Sequence, residues 1–192
     1  MGAIKRHTET KNIMTVPDNG TAVKKAPPTS VGKDLLNLFV KIASIALAFV
    51  LLFTLLFGIT RNQDPSMTPA IKDGDLVIFY RYTKSGYLPG DVIALKINGQ
   101  TQIRRVVATA GDTVDITEDG LFVNGSLQQE HNIYHDTDRY VDGVNFPLTV
   151  PEGHVFVLGD NRPRSIDSRI WGPVAIDDTL GKVMTVIRRR NI

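Results

Sequence analysis

The chain has no cysteine among its 192 residues. That excludes a disulfide framework, a zinc ribbon, an iron–sulfur site and a cysteine nucleophile. Net charge is scarce too, because 22 Lys or Arg stand against 20 Asp or Glu and leave +2. Such a balance gives no general electrostatic reason to expect nucleic acid as a partner. There is no internal repeat, and no helical pattern of useful length follows residue 60. What the chain does have is unevenly placed. Residues 1–41 carry seven Lys or Arg against three acidic residues, a local +4. From residue 62 onward, 14 basic residues meet 17 acidic ones, a local −3.

Between these regions lies Ile42 to Ile59, an uncharged run of 18 residues. As a helix it spans roughly 27 Å, about the hydrocarbon thickness of a bilayer. A buried core helix of that length ordinarily keeps a polar face, and this run has none. A cleavable signal peptide is disfavoured by the long preceding segment and by the lack of an A-x-A-like site after the run. The expectation is therefore a membrane anchor over 34–60. The basic excess before it and Asp64 after it place the N-terminus inside and the C-terminal part outside. Residues 1–33, with Pro17, Pro27 and Pro28 and no apolar periodicity, read as a disordered cytoplasmic tail.

The remainder, 61–192, alternates short runs rich in Val, Ile, Phe and Tyr with turn signals. Strands are expected at Leu76–Tyr82, Val92–Ile97, Gln102–Thr109, Val114–Ile116, Leu121–Val123, Val155–Leu158 and Val183–Ile187. Asn98-Gly99 between two such runs predicts a tight hairpin. The fold class is mostly β, an antiparallel folded-over sheet or small barrel preceded by one transmembrane helix. The polar stretch within 126–150 reads as a variable surface insertion.

Three clusters carry the chemistry. In Asp64-Pro65-Ser66-Met67-Thr68-Pro69-Ala70 two prolines flank a serine and hold its hydroxyl at a bend. Such a segment suits a nucleophile, or is simply the loop that joins the anchor to the first strand. In Arg104-Arg105-Val106-Val107-Ala108, strand alternation puts Arg104 with Val106 and Ala108, and Arg105 with Ile103 and Val107. One guanidinium must then share a face with apolar neighbours and needs an acidic partner, unless the strand lies at an edge and the charge faces water. The third cluster, Gly159 through Gly172, is dense in hydroxyls, carboxylates and guanidinium groups after an apolar strand. It reads as an orienting network rather than a salt-bridged turn.

These pieces together resemble the signal peptidase I family of membrane-anchored serine peptidases. The family pattern GDNRxxSxDSRxWG is matched without a break at Gly159–Gly172, and its SMxPT box is matched at Ser66-Met67-Thr68-Pro69, with Ala70 in place of threonine. Gly74-Asp75-Leu76-Val77 is similar to the Gly-Asp-x-Val that follows. Arg105-Val106-Val107 and Gly111-Asp112 match the family's RVVGxPGD, while Ala108 and Ala110 depart from it.

The resemblance implies cleavage of signal peptides from exported preproteins at the bacterial cell membrane, with no cofactor and no metal. It gives Ser66 the role of nucleophile. Asp160, Arg162, Ser165, Asp167 and Arg169 form the supporting network, in which Ser165 and Asp167 would hold the base. The base of the family is a desolvated lysine, and Arg104 occupies its position. A guanidinium stays protonated and has no lone pair for the serine proton. Asp64 stands where family members carry glycine or serine, and a carboxylate there would oppose an oxyanion if it pointed inward. Lys96, His131, His135 and His154 are the alternative bases. Expected partners are signal peptides and the lipid bilayer. A degenerate, non-cutting paralogue that grips signal-peptide or pilin segments is the second reading. Self-cleaving Ser–Lys repressors share a similar core, but the anchor and the GDNR box argue against them.

Overall fold

The structure is a computed structural model that describes residues 31–81, 86–130 and 133–188. The expected tail lies almost wholly outside the described residues, as does His131. Two compact units divide the chain between Ala43 and Ser44. The first contributes the beginning of helix α1 (Val31–Leu56), and every strand belongs to the second. No residue of α1 is buried, as expected of a helix that is apolar on all sides and satisfies its backbone internally.

Helix α1 stops at Leu56, four residues before the expected end of the anchor. The rest of the apolar run enters strand β1 (Phe57–Arg61), which pairs antiparallel with β2 (Leu76–Tyr80), Phe57 opposite Tyr80 and Arg61 opposite Leu76. Gly58 permits the switch. A Cβ there would lie 2.2 Å from Cζ of Phe79, whose ring covers the strand. Composition predicts helix through this segment, but sheet pairing and burial of Phe79 prevail over it.

Next come β3 (Val92–Ile97), β4 (Gln100–Thr109), β5 (Thr113–Thr117), β6 (Gly120–Val123), β7 (Ser126–Leu127), β8 (Leu148–Thr149) and β9 (His154–Leu158). A single-turn helix α2 (Ser168–Trp171), β10 (Val174–Ala175) and β11 (Thr179–Ile187) complete the order. The strands form two antiparallel sheets. One has seven strands in the order β1-β2-β11-β3-β4-β9-β10, the other four in the order β7-β6-β5-β8. This is the folded-sheet form of the expected fold class; neither sheet closes into a barrel.

The β3–β4 hairpin turns at Asn98-Gly99, with φ of 48° and 80° and Ile97 opposite Gln100. Two consecutive left-handed residues suit the twist of the flanking strands, and Asn-Gly reaches that conformation most cheaply. β3 is buried on both faces. Ile93 and Leu95 join Val106, Val155 and Val157 on one side, while Ala94 joins Met67, Phe79 and Ile103 on the other. Each of these side chains larger than alanine contributes about 1.5–3 kcal/mol on burial. This two-sided core makes β4 rigid, and β4 carries Arg104 and Arg105.

Candidate active site

The serine turn is built by its own local hydrogen bonds. Asn62 donates through Nδ2 to the Asp64 carbonyl (2.7 Å) and the Lys72 carbonyl (3.1 Å). Gly74 donates its N–H to the Asn62 carbonyl at 2.9 Å, and Asp75 accepts from the Lys72 amide at 2.9 Å. Met67, fully buried, plugs the turn into the core beside Ala94 and Ile103. Gly74-Asp75, a motif with no chemistry of its own, thus closes the loop that carries Ser66.

Ser66 is only 3% exposed. Its carbonyl accepts the Asn161 N–H at 2.8 Å, and its hydroxyl faces the Arg164 carbonyl at 3.4 Å. The third cluster is therefore the wall against which the serine turn rests. Gly159 makes the close approach possible, since a Cβ there would lie 2.2 Å from Ser165 Oγ and 2.7 Å from the Ser66 carbonyl oxygen.

Arg104 is buried on the face that alternation assigns to it, and its acidic partner is Asp64. The Nη1–Oδ2 distance is 3.2 Å. The guanidinium also donates to the Ile103 carbonyl (2.6 Å), Gln102 Oε1 (2.6 Å) and the Ile166 carbonyl (2.8 Å), and it lies 5.7 Å from the Trp171 ring centroid. Burial pulls its pKa below the ordinary arginine value, opposed by the neighbouring Asp64 charge. It remains a cation at any accessible pH.

Asp64 uses its other oxygen to accept the Ser66 N–H at 2.6 Å. Burial disfavours its charge, but hydrogen bonds from the Ser66 side chain and backbone and the Arg104 cation outweigh this and hold the carboxyl below its ordinary range. The two residues singled out as departures from the family pattern are therefore bonded to each other. On the opposite face of β4, Arg105 forms a two-pronged pair with Asp160, at 2.8 and 2.7 Å. Hydrogen bonding to Asp160 raises its pKa against the opposing effect of burial.

The remaining network residues meet behind this layer. Asp167 accepts from the amides of Gly159 (3.1 Å) and Arg169 (3.2 Å) and from Arg169 Nε (2.9 Å), so it caps α2 and neutralises a buried cation at once. Arg162 donates to the Gly159 carbonyl at 3.0 Å and pairs with Glu130 and Thr137. Arg169 also donates to the carbonyls of Arg162 (2.6 Å) and Asp138 (3.1 Å) and lies over the Tyr140 ring. Neither Ser165 nor Asp167 hydrogen-bonds the Arg104 side chain. Ser165 Oγ is the one buried side-chain polar atom among the described residues without a hydrogen-bond partner.

Sequence reasoning missed Glu130, Thr137 and Tyr140, which lie in the stretch read as a surface insertion. Thr137 is buried, and Tyr140 donates to the Ser165 carbonyl at 2.7 Å. A signal was present. Gly159–Gly172 contains three arginines and two aspartates, Asp160 faces Arg105, and a buried Arg162 needed an acid from elsewhere. Of the alternative bases, Lys96 is exposed on β3, His135 is exposed, and His154 Nδ1 pairs with the Glu152 carbonyl.

The model of the signal peptidase family, peptidase S26, matches residues 35–187. Signal peptidase IB of Staphylococcus aureus is 35% identical over 162 residues, 74% of this chain and 85% of that protein. The chloroplastic thylakoidal processing peptidase 1 of Arabidopsis thaliana is 37% identical over 114 residues, 56% of this chain but 30% of that longer protein. A crystal structure of a signal peptidase I from Enterococcus faecalis is 34% identical and matches all of its own length to 54% of this chain, with a TM-score of 0.44. The extent of the family match and the identity to signal peptidase IB, together with the apolar helix α1, make this chain a membrane-anchored member of the signal peptidase S26 family.

Proposed function

We propose that this chain is a signal peptidase I-type serine endopeptidase that removes signal peptides from exported precursors at a bacterial cell membrane, with Ser66 as nucleophile. The observation that carries the reading is the seat of Ser66, whose turn is clamped by the Asn161 amide at 2.8 Å and faces the Arg164 carbonyl. A cavity of about 480 Å³ opens beside Asp64, whose carboxylate accepts the Ser66 amide, and is lined also by Thr60, Arg61, Gln63 and residues 99–102. β4 pairs with β9 only from Arg105 onward, so Gln100–Arg104 has no strand partner on that side among the described residues, and within it the Ile103 carbonyl accepts from Arg104. An extended segment of substrate adding to that edge has its scissile carbonyl brought toward Ser66.

In this reading 1–33 is a cytoplasmic tail, 34–60 a single span and 61–192 an extracytoplasmic domain, an orientation supported by the +4 and −3 charge split. Asp160, Arg162, Ser165, Asp167 and Arg169 act by holding the wall behind Ser66. The Arg104–Asp64 pair favours a second reading, in which the chain binds signal-peptide or pilin segments without cutting them. Incubating the detergent-solubilised full chain with a model preprotein separates the two. Cleavage that Ser66→Ala abolishes supports the enzyme; no cleavage by either protein supports the binder.

A further inference from the structure

Resting on the enzyme reading above, we propose that Asp64 is the proton acceptor for the Ser66 hydroxyl, and that Arg104 is the positioning residue that holds its carboxylate. Three observations lead there. Arg104, at the position that the resemblance gives to the base, is a fully engaged cation with no lone pair. The Ser66 hydroxyl makes only a long bond, to the Arg164 carbonyl at 3.4 Å, while the amide of the same residue donates to Asp64, which is the ionisable acceptor beside it. Ser165 Oγ, which the resemblance would turn toward a lysine ammonium, has no partner among the described residues.

Asp64 is well placed for this task. One oxygen is 2.6 Å from the Ser66 amide nitrogen, within the same residue as the hydroxyl, and the other is tied to Arg104. Its side chain is about one-third exposed, and it borders the cavity proposed to take substrate. The cavity also presents Arg61, and behind Arg104 lie Asp167 and Arg169. Arg164 contributes only its carbonyl.

The step balances. As the Ser66 Oγ–carbon bond forms, the hydroxyl proton passes to Asp64 and the carbonyl π pair becomes the oxyanion. Asp64 then returns the proton to the leaving amine nitrogen as the carbon–nitrogen bond breaks. In the second half, water gives its proton to Asp64 and attacks the acyl group, and Ser66 recovers a proton as the acid departs. Protonation of Asp64 also weakens its hold on the Ser66 N–H, which frees that donor to meet the oxyanion.

The pH profile of the wild-type chain tests this without any variant. A lysine base must lose a proton, so activity resting on one falls as pH drops through the amine's pKa. A carboxylate held below its ordinary range stays ionised, so kcat/KM stays level from neutrality down to the carboxylate range and falls only below it. Asp64→Asn keeps the shape and an acceptor for the Ser66 amide. It is expected to lower kcat by about a hundredfold or more, with KM little changed. Arg104→Gln removes the cation and moves the acid limb to higher pH, a change that a merely structural role would not produce. A fall in kcat/KM as pH drops through an amine's range, or undiminished cleavage by Asp64→Asn, overturns the proposal while leaving Ser66 as nucleophile. Absence of cleavage by the wild type at every pH overturns the enzyme reading itself.

Discussion

Replacing Asp167 with Ala removes the one carboxylate bonded to a guanidinium that is itself 2% exposed. Asp167 is fully buried and accepts hydrogen bonds from two backbone amides and from Arg169 Nε and Nη2. The Arg169 cation keeps three carbonyl acceptors but loses its counter-charge, and breaking a buried pair in this way costs about 3–5 kcal/mol. Loss of the α2 cap adds about 1 kcal/mol. At roughly 2–4 °C per kcal/mol for a chain of this length, Tm falls by about 8 °C or more. Thermal unfolding of the full chain in detergent, followed by near-ultraviolet circular dichroism, reads this directly. The double substitution Asp167→Leu, Arg169→Met should cost clearly less than Asp167→Ala, because no buried charge is left behind. A Tm within about 2 °C of wild type for Asp167→Ala, or a double variant as unstable as the single one, refutes the claim that charge compensation holds this wall.

Gly159→Ala places a methyl against Ser165 Oγ and the Ser66 carbonyl; it is expected to cost 1–3 kcal/mol, of the order of overpacking, and to abolish labelling of Ser66 by a serine-directed acylating probe. Acid sensitivity follows from Asp64 and Asp112, both held below their ordinary value of 3.8: Asp64 by hydrogen bonds and Arg104 against burial, Asp112 chiefly by the Thr109 amide. Depressed carboxyls stabilise the fold above pH 3.8 and lose that contribution as pH falls below it. Asp112→Asn therefore flattens the acid side of a stability-versus-pH curve while leaving its neutral plateau lower, as urea titrations at several pH values would show.

Local signals in the sequence were strong where one residue type meets one backbone requirement. Asn98-Gly99 announces its hairpin because two consecutive left-handed residues are needed there. The uncharged run announces a helix that wants lipid. Alternation along β4 correctly separates Arg104 from Arg105. Other features rested on pairings between distant segments. The end of α1 is not legible in the sequence because Phe57-Gly58-Ile59 is as apolar as the helix before it, and only the Phe79 ring and the β2 edge claim it for the sheet. The described part of the insertion is mostly exposed, but its polarity does not reveal that Glu130, Thr137, Asp138 and Tyr140 are the partners of the buried network.

The sequence alone determined the class of the molecule: a chain free of thiol chemistry, one apolar span, an antiparallel β domain, and a serine turn and GDNR box that identify its family. Tertiary structure decided what the two unusual residues mean. Asp64 and Arg104 lie 40 positions apart, and read separately each looks like damage to a serine–lysine site. Folding places β4 behind the serine turn and joins them at 3.2 Å, because a guanidinium buried beside the Trp171 ring must find a carboxylate, and Asp64, within reach, also holds the Ser66 amide.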